Sequence, residues 1–573
     1  MSSEDALPDT GNVPVISNPD SNQTVTPVAF AWVRLLEPQF LLVIFSALGI
    51  IWLGSHGSLR RPPSAAPAKL KKGEKRREEE KFMEGLTLSD AIWFPMLLGV
   101  VLIGLYYLIQ WLQDPTMLNK LLRGYMSFVA IAGLATLAGD ALDILMSVVF
   151  PSMWADRNGQ VHHIDPDRRC QYIVDQQTGE ETIIASRTTP FPGFLSNAAI
   201  LRDSTRFWWE VRHLLNERWT VRFAVHGKVL AKFKLRFNDL IRFAVAVGTA
   251  LAYHLTGWPA LSNVVSVAMC YASFMMLTPT SFPIGTMVLA GLFVYDIVMV
   301  FYTPYMITVA KNLDAPIKLV FNGSSGVSML GLGDIVVPGM LMGLALRFDL
   351  FRYYQKQTKL EPITLVTEVA SRTTETTQKT QDTQYRRVKA PYVETRGQWG
   401  NRFWTTPLGS LFPVKDAASP IAATAFPKPY FYASVAGYAA GMLATLTALL
   451  VFNHGQPALL YLVPGVTGSL WLTGLIRGEL KDMWAYTEDG SLDTMDVVVE
   501  VDAAGQVIKE ATKESGGEEE AQPNGVKSSG TDESKEGGNG SLGGEVLSKT
   551  EGEQGSKPYE LFVLSVTAPR SAA

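Results

Sequence analysis

Long apolar runs alternate with polar stretches along this chain, and the runs have the length of membrane-crossing helices. A helix needs ~20 mostly apolar residues to cross a hydrocarbon core ~30 Å thick. Nine runs fit that window: Phe40–Leu53, Ala91–Leu112, Tyr125–Phe150, Ile241–Gly257, Leu261–Leu277, Ile284–Tyr302, one around Asp334, Phe431–Phe452 and Ala458–Ile476. The pattern predicts an all-α polytopic membrane protein of nine transmembrane helices. The stretches between them divide the rest: a disordered tail over 1–36, spans one to three over 37–150 with a basic loop at 55–87, and an insertion at 151–237. Spans four to seven then occupy 238–347, a polar loop 348–428, spans eight and nine 429–478, and a second disordered tail 479–573.

Basic residues set the orientation. The first, third and seventh loops and the start of the tail carry "KLKKGEKRR", "HGKVLAKFKLRF", "QYRRVK" and "RGELK", all on one side if there are nine spans. This places the N-terminus in the lumen and the C-terminus in the cytosol. The sequon at Asn22 then faces the lumen as a candidate glycosylation site. The N-terminus lacks the basic and apolar regions of a cleaved signal peptide and reads as a mature tail. The insertion contains strand-like and aromatic stretches and is expected to pack a small cap. The Thr/Gln-biased seventh loop and the tail after Tyr486 read as non-globular.

Composition narrows the chemistry further. A net charge of −4 over 573 residues, with the basic residues scattered in loops, excludes a nucleic-acid partner. Cys170 and Cys270 show neither a disulfide framework nor metal-ligand spacing, so no metal is expected.

Against this apolar background, two carboxylates are out of place. Asp296 follows Tyr295 in "LFVYDIVMVF", and Asp334 closes Gly331-Leu332-Gly333-Asp334. Ionisable groups inside a membrane are costly and point to function. If the seventh span begins near Gly326, helical rise puts both carboxyls ~12 Å from the lumenal side, so they can meet. Two such groups share a proton, and one can then activate a water while the other donates to a developing oxyanion and a leaving amine. Gly331 and Gly333 leave room beside Asp334 for another helix or an extended peptide. Pro457 and Pro464, in "QPALLYLVPG", are expected to keep the ninth span from being a regular helix throughout and so to line a cavity. A second acidic pair, Asp140 and Asp143, shares one helix at i, i+3 and reads as paired or solvated carboxylates.

These stretches together resemble the signal peptide peptidase family of intramembrane aspartyl proteases, related to presenilin. Its YD motif matches Tyr295-Asp296, its GxGD motif Gly331-Leu332-Gly333-Asp334, and its PAL motif Pro457-Ala458-Leu459, preceded by Gln456. The resemblance implies the nine-span presenilin-like fold, Asp296 and Asp334 as catalytic, and Tyr295, Gly331, Leu332, Gly333, Gln456, Pro457, Ala458 and Leu459 as supporting or substrate-positioning residues. It further implies cleavage of remnant signal peptides and type II transmembrane anchors in the endoplasmic reticulum membrane, no cofactor, and homo-oligomer or degradation-complex partners. The short connection at Met306–Phe321 differs from presenilin's long one and implies an uncut chain. Other classes fare less well. None of the seven histidines supplies HExxH, and the near match to GxSxG fails at its last position. Two rivals stay open: a cation channel or transporter lined by the aspartates, and a pseudoprotease that binds membrane clients without cutting them.

Overall fold

The computed structural model describes residues 37–67, 85–112, 115–156, 160–174, 180–184, 187–197, 203–225, 228–313, 316–323, 326–364, 383–405, 424–452, 456–492, 498–501, 507–511 and 562–567. Asn22 and most of the Thr/Gln-biased stretch lie outside them. The described residues fall into two units, one drawn from 1–216, 236–359 and 388–495, the other from 217–235, 360–387 and 496–573.

The first unit is built on helices α1 (Pro38–Gly57), α2 (Leu88–Leu112), α3 (Pro115–Val149), α4 (Thr205–Asn216), α5 (Phe237–Thr256), α6 (Pro259–Met276) and α7 (Phe282–Ile297). After these come α8 (Tyr305–Asn312), α9 (Leu332–Gln355), α10 (Trp399–Thr405), α11 (Pro429–Phe452), α12 (Leu459–Arg477) and α13 (Leu480–Ala485). Among the described residues, seven helices are long and apolar enough to cross a membrane: α1, α2, α3, α6, α7 with its extension to Tyr302, α11 and α12. The chain is therefore a multi-pass membrane protein.

The fourth and seventh expected spans correspond to α5 and α9, which are long enough but more polar. α5 holds Asp239, Arg242 and His254, and α9 holds Asp334, Arg347, Asp349 and Arg352. In α9 every residue from Val337 to Leu350 is buried by protein. A helix so enclosed meets other side chains rather than lipid, which is what lets it carry charge. Both charges in that stretch are matched. Asp349 accepts the amides of Tyr430 (3.3 Å) and Phe431 (2.9 Å), capping the start of α11. Arg347 donates to Glu488 (2.7 Å) and to Ser58 (3.0 Å).

α11 and α12 run against each other at very short range. Gly437 and Gly441 repeat at i, i+4 on α11, and a Cβ at Gly465 of α12 would lie 2.5 Å from the carbonyl oxygen of Gly437. At Gly441 it would lie 2.8 Å from that of Tyr461. Small residues at this spacing let two membrane helices touch backbone to backbone. α12 is also tied to α7, where Trp471 donates from its indole to the hydroxyl of Thr286 (3.1 Å).

The segment after α12 is folded where a disordered tail was expected from residue 479. Met483 and Tyr486 join the core, and Glu488 is 4% exposed, paired with both Arg347 and Arg60 and accepting from the Tyr486 hydroxyl (2.8 Å). Two cations on one buried carboxylate hold the chain down more firmly than its polar sequence suggests. Parts of the seventh loop are likewise folded. Asn401 accepts the amide of Ser152 (2.8 Å), Trp404 donates to the carbonyl of Val148 (2.8 Å), and Gly400 sits against the backbone of Ser147.

The all-α expectation also needs correction, because among the described residues the connections form four β-sheets. In the insertion, β1 (Met153–Ala155), β2 (Val161–Asp165), β3 (Cys170–Val174) and β4 (Glu181–Ile183) make an antiparallel sheet. Trp154, Ile164 and Trp209 of α4 form its small core, the cap foreseen there. The second unit consists of β5 (Arg218–Val225) and β6 (Lys228–Arg236) with β13 (Phe562–Thr567), and of β9 (Lys359–Thr364), β10 (Thr383–Val388), β11 (Val498–Val501) and β12 (Val507–Ala511). The remaining sheet, β7 (Lys318–Gly323) with β8 (Gly326–Gly331), belongs to the candidate site.

Replacing Glu488 with Gln leaves Arg347 buried with its charge unmatched, a change that typically costs about 3 kcal/mol or more. We expect a lowered melting temperature of the detergent-solubilised protein, and an unchanged one would show the network to be dispensable. Glu479 gives a pH-dependent counterpart. It accepts from Arg352 (2.8 Å), Tyr430 (2.8 Å) and Arg477 (3.1 Å). Burial pushes its carboxyl up, but these hydrogen bonds outweigh burial and hold it at about 2 against an ordinary 4.5. A depressed carboxyl contributes stability that is fully present above the ordinary value and is lost as pH falls through the folded one. The difference in melting temperature between wild type and Glu479→Gln should thus be constant above about pH 5 and shrink as pH falls below about 4.

Candidate active site

Asp296 is the penultimate residue of α7 and is 4% exposed. Directly beyond it the helix widens into a π-helical turn, Val298–Tyr302, an irregularity often found at functional positions. Tyr295 is half-buried and packs against the main core.

Asp334 reaches the same core from α9. Expecting the seventh span to begin near Gly326 was wrong: residues 326–331 are strand β8, paired antiparallel with β7 from Lys318↔Gly331 to Gly323↔Gly326. Gly323 and Gly326, the last pair of the two strands, flank the connection between them and favour a turn there over a helical start. The helix begins at Leu332, so Asp334 lies in its first turn, where the helix dipole favours a negative group.

Asp334 lies within electrostatic reach of Asp296. Their surroundings differ. Asp296 accepts a hydrogen bond from the backbone amide of Leu459 (3.0 Å). Asp334 is half-buried, and no donor among the described residues reaches its carboxyl, although the hydroxyl of Tyr438 donates to its backbone carbonyl (3.2 Å). A Cβ at Gly331 would lie 3.2 Å from the Asp334 carboxyl oxygen, so a side chain there would crowd the acid. A Cβ at Gly333 would meet nothing within 4 Å. Gly333 itself is exposed, so the start of α9 is uncovered there.

Pro457 and Ala458 supply the third part. Pro457 is buried and precedes the helix, Ala458 is its N-cap, and Leu459 is its first residue. A first-turn amide has no partner within its own helix, which frees that of Leu459 for Asp296. Gln456, half-buried just ahead, makes no side-chain hydrogen bond to a described residue. The expectation that Pro464 would also interrupt the span does not hold, since α12 runs unbroken from Leu459 to Arg477 through it. One missing N–H near the start of a helix packed tightly against α11 is tolerated.

Sequence reasoning therefore placed Asp296, Asp334, Gly331, Gly333 and Leu459 in one neighbourhood, and the structure brings them together. It missed Tyr438, which sits fully buried in an apolar span with no motif around it. Asp140 and Asp143 stand apart. Asp140 accepts from the hydroxyl of Tyr271 and from Arg396 (2.8 and 2.9 Å), and Asp143 pairs with Arg236 (3.9 Å). They are structural carboxylates.

Comparison with known proteins agrees with the geometry. A family model described as signal peptide peptidase matches residues 77–490. The chain is 31% identical to Intramembrane protease 2 of Caenorhabditis elegans over 47% of its own length and 48% of that protein's. It is 24% and 25% identical to the signal peptide peptidases of Mus musculus and Homo sapiens, over 72% of its own length and 76% of each. It thus spans about half of the first relative and about three quarters of the other two. No solved structure matches.

Leu459→Pro removes the amide that Asp296 accepts while keeping an apolar helix start, and Tyr438→Phe removes only the hydroxyl on the Asp334 carbonyl. Both variants should keep their fold by circular dichroism. We expect Leu459→Pro to weaken binding of an aspartyl-protease transition-state analogue at least about tenfold and Tyr438→Phe by less, as measured by displacement of a labelled analogue.

Proposed function

We propose, for a chain that belongs to the signal peptide peptidase family, that it is an intramembrane aspartyl endopeptidase with Asp296 and Asp334 as its catalytic pair. The observation that carries this reading is that carboxyls from α7 and α9 lie within electrostatic reach of each other beside one apolar core, with the amide of Leu459 holding Asp296 and no donor among the described residues on the Asp334 carboxyl. Two carboxyls so placed share one proton. The ionised member takes a proton from water as it attacks the scissile carbonyl carbon, and the protonated member donates to the carbonyl oxygen. Collapse of the tetrahedral intermediate breaks the C–N bond, with a proton passing to the leaving amine. No bond to the enzyme forms, and no cofactor enters.

A transmembrane substrate must be unwound before water can reach its backbone. The β7–β8 hairpin supports that step. The outer edge of β7 is already occupied, since the side chain of Asn263 bonds both the amide (2.9 Å) and the carbonyl (2.8 Å) of Val320. β8 has no second strand beside it among the described residues and leads straight into Asp334, so an extended peptide can pair there. The proposed substrates are remnant signal peptides and type II transmembrane segments, with nine spans, a lumenal N-terminus and residence in the endoplasmic reticulum membrane. The cytosolic excess of Lys and Arg supports the orientation.

Purified protein in liposomes should cut a type II transmembrane peptide within its apolar segment, with the site read by mass spectrometry. Asp296→Ala and Asp334→Ala should each lower the rate by at least about a thousandfold. Retained cleavage in either variant would overturn the dyad. Absence of cleavage in wild type, together with an ion flux altered by Asp→Asn changes, would favour a channel.

A further inference from the structure

A cavity of about 710 Å³ opens where α9 and α12 end and α11 begins, at the opposite end of α9 from Asp334. Its wall holds four cations, Arg352, Lys356, Lys428 and Arg477, and two carboxylates, Asp349 and Glu479. The carboxylates are already engaged. Asp349 caps the amides of Tyr430 and Phe431, and Glu479 is shared between Arg352, Arg477 and the Tyr430 hydroxyl. Among the described residues, Lys356 and Lys428 have no carboxylate within salt-bridge distance, and Arg352, whose terminal nitrogens bond Glu479 and Asp482 (2.6 Å), keeps a buried Nε without a hydrogen-bond partner. Lys428 instead donates to His56 Nε2 (3.0 Å), whose Nδ1 donates to the carbonyl of Trp52 (2.8 Å). Burial and the nearby Arg402 lower the Lys428 ammonium to about 8 against the opposing pull of Asp349, so a further anion would relieve it.

We infer that this cavity binds the phosphomonoester headgroup of an anionic membrane lipid. The cavity is of ligand size, its four cations outnumber its two carboxylates, and it lies at the ends of α9, α11 and α12, where helices long enough to cross a membrane emerge beside headgroups. A phosphomonoester brings the second negative charge that two unmatched lysines and an unpartnered guanidinium N–H would meet, and it accepts bonds from both kinds of donor. The same chemistry exists in soluble phosphate, but a cavity at helix ends presents it beside the bilayer.

The test uses full-length protein in nanodiscs of phosphatidylcholine alone, or with added phosphatidic acid or phosphatidylserine, and reads co-purified lipid by mass spectrometry. Wild type should enrich phosphatidic acid over both other lipids. The Lys356→Gln/Lys428→Gln variant should bind it about thirtyfold more weakly, while Lys481→Gln, exposed and outside the cavity, should match wild type. Lipid binding is measured without proteolysis, so this result is independent of the catalytic reading. Equal retention of all lipids, enrichment that survives the double variant, or a double variant that only melts lower with selectivity intact would overturn the inference. Displacement of phosphatidic acid by inorganic phosphate at millimolar concentration would assign the site to soluble phosphate instead.

Discussion

The constraint on which the rest of this molecule depends is the cost of keeping two carboxyl groups inside an apolar core. A polar group withdrawn from water must find its partners in the protein. Asp296 finds one in the amide of Leu459, which is free because a helix begins there. That beginning is fixed by Pro457 and Ala458, and the position of the whole helix is fixed by backbone contact with α11 at Gly437, Gly441 and Gly465. A motif of three residues therefore acts through a helix contact made by glycines elsewhere along the chain.

α9 shows the same rule at larger scale. It carries Asp334 at one end and Arg347 and Asp349 further along, and it is the helix most enclosed by others. Each of its buried charges is answered by a different part of the chain, Arg347 by Glu488 after α12 and Asp349 by the start of α11. These bonds fix α9 against α11 and α12, the two helices that supply Tyr438 and Leu459 to the aspartates. The folded segment around Glu488 thus belongs to the framework of the site, although its sequence reads as the start of a polar tail.

The membrane helices were legible in the sequence because an apolar run of ~20 residues suits little but a bilayer. The aspartates were legible because carboxylates are so rare in runs of that kind. Other parts were written in a weaker code. The hairpin before Asp334 had a signal in Gly323 and Gly326, which punctuate the stretch, but the mostly apolar residues after Gly326 run on into α9 and suit a single span equally well. The pairing of Arg347 with Glu488 joins positions 141 residues apart. No local pattern announces such a contact, and a lone Glu in a polar stretch is ordinarily solvated. Trp399 and Trp404 in the seventh loop were a missed cue, since large aromatic residues in an otherwise polar stretch often mark a segment that packs. Pro464 was overread, because a proline near the start of a well-packed helix removes only one hydrogen bond.

Three interruptions of regular helix converge on the aspartates: the π turn after Asp296, the strand before Asp334, and the non-helical step at Pro457 and Ala458. In lipid each would leave backbone groups without partners, so such breaks survive only where protein encloses them or water can enter. Here each break also has a local use. The π turn follows the buried acid, the strand offers extended backbone beside the open one, and the proline step frees the amide that holds Asp296. If catalysis proceeds as proposed, the irregular backbone and the paired carboxyls solve one problem, since water and an unwound peptide bond must both be admitted to a place from which lipid is excluded.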